Sequence, residues 1–473
     1  MRLKQDKQRR FDFHRATLKI TRQHHERYAA ISEILDETPA IVREVHDDVV
    51  GMLERESRRV SRRGRRCRFT SENLLRLLIC QVIEGLSLRE VVVRVDDSDA
   101  FRTFTRIHDG PMMDFTTLCR LRSSIRAETW KKVNQALAKA AVAAELIHGD
   151  RLRLDTTLVE TNIRWPSDSG LLWDTYRTLG RLIRMGRELD STVADDRRLQ
   201  DKKAKKLQLA IAREVAKRKR KECRVKRLYG ALIGHGEAIL AIAIVAAERL
   251  GKLGAGDRSG SMRGALAQQL STELLRIVEL GRRVVDQARR RVLNGESVPA
   301  TEKIYSIFEP HTELIKRGKA GKEIEFGHMV SLAQVESKFI TDYDVCPRRP
   351  VEPDLIEPIV RAHCKLFGQA PTELSADKGY HRTTTVSRLA ETVDTVAIGP
   401  RRRSSEDVEH SEPSELFKLA QMFRAGIEGS ISFLKRAFRM ARCFDKGWAH
   451  YASNVGRIVF SHNLVVLARL WPT

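Results

Sequence analysis

The chain has 473 residues, room for about three domains at roughly 150 residues each. Its 42% hydrophobic content fits a folded globular protein and argues against wholesale disorder. Lys and Arg number 86 against 62 Asp and Glu, a net charge of +24 that calls for an anionic polymer or surface as partner. The purest apolar run, Ala238 to Ala247, is ten residues long, about half a membrane span. The start, MRLKQDKQRRFDF, lacks the apolar stretch of a secretory signal. Seven cysteines are scattered without a C-x-x-C pair, which disfavours a disulfide framework or zinc site and suggests a reducing cytoplasm. A membrane surface would need a basic amphipathic anchor, so nucleic acid is the preferred partner.

From residue 1 to about 145 the pattern is helical. Thr70 or Ser71 caps a segment carrying Leu74, Leu75, Leu77, Leu78, Val82 and Ile83, which Gly85 ends. A second helix is expected in LREVVVRV and a third in TTLCRLRSSIRAETWKKVNQAL. The first two, around a Gly turn, have the outline of a helix-turn-helix, although plain helix pairs share it. The stretch Arg55 to Arg68 holds eight arginines and reads as an electrostatic arm.

DRLRLDTTLVE, 150–160, has the alternation and β-branched content of a strand. Helical periodicity returns over about 168–295. In its last helix Leu274, Val278, Gly281, Val285, Ala288 and Val292 form a seam for helix packing. Within this block Arg197 to Arg227 holds fifteen Lys and Arg against three acids. A solvated helix normally alternates sign, so the phosphate-backbone reading is favoured over a plain solvated face, with Lys217, Arg218 and Lys219 as DNA contacts.

From 323 onward the pattern is α/β. EIEFGHMVSLAQ and KFITDYDV read as a strand hairpin, followed by a helix at about 353–366 and the short strand TELSAD. A helix after Tyr380, the strand TVAIG and a long helix from about 412 to 440 complete it. Without the helical block the order is β, β, β, α, β, α, β, α, that of a ribonuclease H-like domain. A connection of this length between the first two strands is no hairpin turn, so it reads as an inserted domain.

Three acids stand where structure alone would not choose them. Asp155 lies inside a strand, where Asp is disfavoured and burial of an unpaired carboxylate costs several kcal/mol. Asp377 ends TELSAD, and Glu428 lies in the final helix. Each has a plain reading: an exposed strand end, a helix cap, or a surface pair with Arg424 four residues away. Together they would converge, since the first and fourth strands of such a fold are neighbours and the last helix crosses the sheet. Carboxylates without nearby Cys or His suit Mg²⁺ or Mn²⁺. Two such ions about 3.5–4 Å apart serve an in-line phosphoryl displacement. Arg424, Glu428 and Lys435 share one helix face, suited to gripping a phosphodiester.

The segments LRLDTTLVETNIRWPSDSGLLWD, YSIFEPHTELIKRGKAGKEIEFGHMVSLAQ, ELSADKGYH and FRAGIEGSISFLKR resemble the DDE transposases of bacterial insertion sequences, most closely the ISNCY-type group. The last matches the family signature R-x(3)-E-x(6)-K through Arg424, Glu428 and Lys435. The resemblance implies a ribonuclease H-like fold and a metal-binding catalytic triad of Asp155, Asp377 and Glu428. The tyrosine that often stands three positions before the Arg is replaced by Gln421.

Other chemistries fail. Gly318 to Lys322 lacks P-loop spacing, and neither H-E-x-x-H nor G-x-S-x-G is present. His24 and His25 read as surface residues. His328 points either toward the carboxylates or into packing.

The expectation is therefore an α/β ribonuclease H-like core with a mixed five-stranded sheet, at 146–165 and 301–473. An all-α DNA-binding region precedes it at 1–145, and a basic all-α insertion occupies 166–300. The activity expected is Mg²⁺- or Mn²⁺-dependent cleavage at element ends with strand transfer by direct transesterification, using two ions and no ATP. The partners expected are terminal inverted repeats, target DNA and at least one further copy of the chain, in a bacterial cytoplasm and with no membrane. The rivals are a nuclease that never joins strands and a non-catalytic, transposase-derived DNA-binding protein.

Overall fold

The computed structural model describes residues 18–55, 68–108, 110–219, 221–256, 261–319, 322–400 and 414–472. Most of the arginine arm (56–67) and the first 17 residues lie outside the described residues.

Seven helices open the chain: α1 Lys19–Glu37, α2 Pro39–Arg55, α3 Ser71–Ile83, α4 Leu88–Asp96, α5 Asp99–Thr105, α6 Phe115–Ser124 and α7 Ala127–Ala143. Side-chain caps set several starts. Thr70 and Ser87 each close a reciprocal capping box, and Asp114 accepts from Thr116 N–H. Gly85 leaves α3 with φ +60, a left-handed turn that suits glycine. The single helix expected over 116–137 is broken at Ile125 and Arg126. Asp48 of α2 accepts there from Arg126 N (2.9 Å), Arg126 Nε (2.7 Å) and the Thr129 hydroxyl. A contact 78 residues distant thus overrides local propensity.

Strand β1 is Arg151–Thr161. Helices α8 Asp168–Leu189, α9 Asp201–Val215, α10 Glu222–Gly256 and α11 Met262–Ala288 follow, the last running into a wider π turn, Arg289–Leu293. They pack around their own apolar cluster, including Leu179, Ile183, Leu232, Ile239, Leu250 and Leu274. At Gly281 a side chain would meet Thr175 Cγ2 at 2.7 Å and Leu240 Cδ2 at 2.8 Å, so α8, α10 and α11 approach closely only because that position is glycine. The expected seam is buried from Leu274 to Ala288, while Val292 is half-buried. Helix α10 is longer and more apolar than the ten-residue run suggested. By length and composition it could cross a membrane, and it buries Leu232, Ile239, Ala243 and Leu250 against its neighbours.

The remaining elements are β2 Glu313–Lys319, β3 Lys322–Val335, β4 Ile340–Val345, α12 Glu352–Phe367, β5 Glu373–Ala376, α13 Thr383–Leu389, β6 Thr395–Ala397, α14 Glu415–Arg436, β7 Arg442–Cys443 and α15 Trp448–Leu470. The sheet is mixed and seven-stranded, not five-stranded as the sequence suggested. Its main order is β2-β3-β1-β5-β6, with β4 also on β3 and β7 on β1. The two additional strands carry weak signals: β2 is ELIKRGK and β7 is two residues long. Both exist through pairing with β3 and β1 rather than through propensity. Gly327 pairs with Glu160, and a Cβ there would overlap the Val159 carbonyl.

Helix α15 is buried along most of its length and packs against α1, α3 and α7. The largest apolar cluster runs unbroken from Leu74, Leu77 and Trp130 through Val330 and Tyr343 to Val459 and Leu464. The N-terminal helices and the sheet therefore share one core.

Candidate active site

Alternation along β1 sends Arg151, Arg153 and Asp155 to the face covered by α14. The guanidinium carbons of Arg151 and Arg153 lie 4.2 and 4.6 Å from the Phe423 ring centroid. Arg153 is buried, and its Nη1 donates to the Phe423 carbonyl at 2.7 Å and its Nε to Gln334 Oε1 at 2.9 Å. Burial, with Arg151 alongside, pulls the Arg153 pKa down to about 10. A side chain on Gly426 would overlap the Arg153 guanidinium, so this glycine lets α14 sit directly on β1.

Strands β1 and β5 are parallel, with Arg153 opposite Ser375 and Leu154 opposite Ala376. One step further along each strand stand Asp155 and Asp377. Both line a cavity of about 190 Å³, together with Lys316, Arg349, Glu352 and Tyr380. Asp155 Oδ1 accepts from Thr156 N–H at 2.7 Å, and Asp377 Oδ1 from Lys378 N–H at 2.7 Å. Burial pushes the Asp155 carboxyl up to about 6. The Thr156 N–H and Arg424 oppose the rise, and the charges of Asp377 and Glu428 add to it.

Glu428 does not line that cavity. Its side chain is 68% exposed on α14, with Oε1 3.8 Å from Arg424 Nη2, so the surface pair considered from sequence is present. It is nevertheless near enough to act electrostatically on Asp155. Arg424 is held by Gln421, whose Oε1 accepts from its Nε at 3.2 Å. The Gln421 amide donates to the carbonyls of Ala376 and Ala397 at the ends of β5 and β6. The residue standing where a tyrosine was expected thus ties α14 to the strand end beside Asp377. Lys435 lies a further seven residues along α14, half-buried.

Glu352 escaped sequence reasoning. As an acid in the first turn of α12, beside Pro353, it reads as an ordinary helix-start residue. In the fold its Oε1 accepts from the Thr156 hydroxyl at 3.0 Å. Gly379 leaves room for its carboxylate, which a methyl group there would overlap. The buried Tyr380 lines the same cavity, and burial raises its pKa, with Asp155 and Glu352 adding to the effect. No local pattern marks Glu352, because its place depends on α12 beginning beside Thr156, midway along β1.

The donors around this cavity are carboxylate oxygens, the chemistry of a hard divalent cation. Among the described residues no three His, Cys, Asp or Glu side chains are gathered closely enough to hold one ion. His328 takes the packing alternative: Met329 faces the cavity, while His328 is stacked on His311, 2.9 Å from Nε2 to Nδ1, beside Trp448 and Tyr451. Burial lowers its pKa to about 4.

Two basic surfaces accompany the carboxylates. Lys217, Arg218 and Lys219 lie on an exposed bend between α9 and α10 rather than inside one long helix, and Lys217 pairs with Glu214 at 2.7 Å. The second was not anticipated: a groove of about 830 Å³ between the N-terminal helices and the C-terminal segment. Arg89, Arg120, Arg122, Arg439, Arg442 and Arg457 line it, against one acid, Asp445. Asp445 is shared by Arg122 (2.8 Å) and Arg457 (3.8 Å). Arg457 is 4% exposed with its Nε unpartnered, and desolvation lowers its pKa to about 10. Six guanidiniums lining one groove, with Arg442 also paired to Glu160 outside it, suit a phosphate backbone.

No curated protein and no solved structure matches the chain. Residues 17–124 match the family model of a transposase domain (DUF772), which supports a transposase of the insertion-sequence type.

Proposed function

We propose that the chain is a DDE transposase related to the ISNCY-type group, with a ribonuclease H-like core that cuts DNA at element ends and joins the freed 3′ ends to target DNA. The observation that carries this reading is the convergence of Asp155 and Asp377, from adjacent parallel strands, on one cavity, with Glu428 outside it but close enough to act on the Asp155 charge. Asp155, Asp377 and Glu428 would hold two Mg²⁺ or Mn²⁺ ions. Bound there, such ions activate a water or 3′-hydroxyl and stabilise the leaving oxygen of an in-line displacement.

The chain's own residues do the rest. Arg424, held by Gln421, and Lys435 grip the phosphate at or beside the scissile bond. Lys316 and Arg349 line the cavity and offset its negative charge. In the first step the water oxygen bonds to phosphorus and the 3′ oxygen leaves. In the second that 3′ oxygen bonds to a target phosphorus and the target strand's own 3′ oxygen leaves, so one phosphodiester replaces another and neither ATP nor a covalent enzyme–DNA intermediate is needed. Pairing two ends requires at least two copies of the chain.

The direct test is cleavage of element-end DNA with Mg²⁺ or Mn²⁺. Asp377→Asn and Glu428→Gln are each expected to abolish nicking while DNA binding stays within about threefold. Retained nicking in either variant removes that residue from the site. Pre-cut 3′ ends that join to target exclude a nuclease that only cleaves. DNA binding without any metal-dependent nicking favours the non-catalytic rival.

The arginine groove and the 217–219 bend would carry the duplex. Reversing charge at Lys217, Arg218 and Lys219 is expected to weaken binding and flatten the salt dependence by roughly one unit of slope per lost phosphate contact. An unchanged slope makes that bend a plain solvated surface.

A further inference from the structure

Among the described residues only three Phe, Tyr or Trp side chains are exposed: Trp165 at 70%, Phe308 at 44% and Phe444 at 66%. Single exposed apolar residues are ordinary. Here all three line the same crevice, of about 420 Å³, although they come from three separate segments: the turn after β1, the approach to β2 and the loop after β7. That volume lies in the range of small-ligand sites, roughly 300–1,000 Å³.

The crevice is built and charged. Trp165 stands edge-on to Phe326 (5.3 Å, 85°), which in turn contacts Tyr305 (5.2 Å), so an aromatic floor holds the indole upright. The Arg177 guanidinium lies 5.7 Å from the Phe308 ring centroid. Arg164 and Arg177 share the buried carboxylate of Asp174, each at 2.9 Å, and the other buried acid of the crevice, Glu309, is held by His311 at 2.9 Å. Lys446 lines the same space. Phe444 also lines the six-arginine groove, so the two spaces adjoin at its ring. The crevice sits beyond the end of β1, and Asp155 lies six residues back from Thr161, about 20 Å at the rise of a strand.

A ligand for this arrangement must offer flat apolar faces to three rings and repeated negative charge to the adjoining arginines. Bases stacked inside a duplex present no free face to a side chain. We infer that the crevice binds unpaired nucleobases of a DNA strand, which stack on Trp165, Phe308 and Phe444 while the backbone continues into the arginine groove. The inference rests on the reading of this chain as a DNA-handling enzyme but requires no cleavage, so the two can fail separately.

The test uses the full-length protein with EDTA present, so that no strand is cut. A blunt duplex is compared with the same duplex carrying a single-stranded thymidine extension. The extension is expected to tighten binding at least about tenfold and to quench Trp165 fluorescence. Trp165→Ala and Phe308→Ala should each remove most of that gain, roughly tenfold per stacked base, while blunt-duplex affinity is kept. Trp165→Phe should retain the gain and lose the quench. Equal binding of blunt and extended duplexes overturns the inference, as does an undiminished preference in both alanine variants. Quenching by free thymidine monophosphate as strong as by the extended strand would overturn it too, making the crevice a mononucleotide site. Loss of nicking in Asp377→Asn with the extension preference intact concerns the cleavage site alone.

Discussion

Asp155→Asn is expected to abolish DNA cleavage and, in metal-free buffer at neutral pH, to make the protein more stable. Burial raises this carboxyl from its ordinary value of 3.8 to about 6, so its ionised form is less favourable in the folded chain than in the unfolded one. Two units correspond to about 3 kcal/mol, at 1.36 kcal/mol per unit. The sign follows from proton binding. Between the two values the folded state holds a larger fraction of this proton, so this carboxyl's contribution to stability is fullest below about 3.8 and is lost as pH rises through about 6. The gain in the variant is therefore largest above pH 6 and shrinks to nothing below 4. Asparagine keeps the oxygen that accepts from Thr156 N–H, so that hydrogen bond survives. Thermal unfolding across pH, with and without Mn²⁺, gives the readout. Added ion should stabilise the wild type in proportion to ion bound and leave the variant nearly unmoved. A variant less stable than wild type at pH 8 would contradict the desolvation account.

Gly426→Val carries the second large effect. A branched side chain there meets the Arg153 guanidinium, which cannot shift without giving up its hydrogen bonds to Gln334 and the Phe423 carbonyl. Overpacking of this kind costs typically 1–3 kcal/mol. The relief available is for α14 to lift from β1, carrying Arg424 and Glu428 with it. Misplacement by about 1 Å can cost 10²-fold in rate. Nicking should fall by roughly that factor, with a lower melting temperature and nearly unchanged duplex affinity. Gly429→Val, three residues along the same helix with open space around its Cβ, is the control and should retain far more activity. Equal activity of the two variants would show that helix seating on Arg153 is unimportant.

Much of the secondary structure was legible because local rules agreed with the fold. The capping box at Thr70, the alternation of β1 and the seam of α11 are each written in a few consecutive residues. The break between α6 and α7 was not legible, since its cause is Asp48 on another helix. Strands β2 and β7 were missed for a related reason: β2 is basic, β7 is two residues long, and both depend on a partner strand. The arginine groove was hidden as well, its cations being contributed by α4, α6, the segment after α14 and α15.

By itself the sequence determined the positive charge, the helix-rich composition, the strand containing Asp155 and the acids worth testing, because each depends on composition or on neighbours within a few positions. Tertiary structure alone decided which of those acids meet. The parallel register of β1 and β5 brings Asp155 beside Asp377, α12 adds Glu352, and α14 leaves Glu428 at the exposed rim. The physical reason is that a carboxylate's neighbours, and hence its desolvation and charge coupling, are set by segments some 200 residues away in the chain, at distances no local pattern encodes.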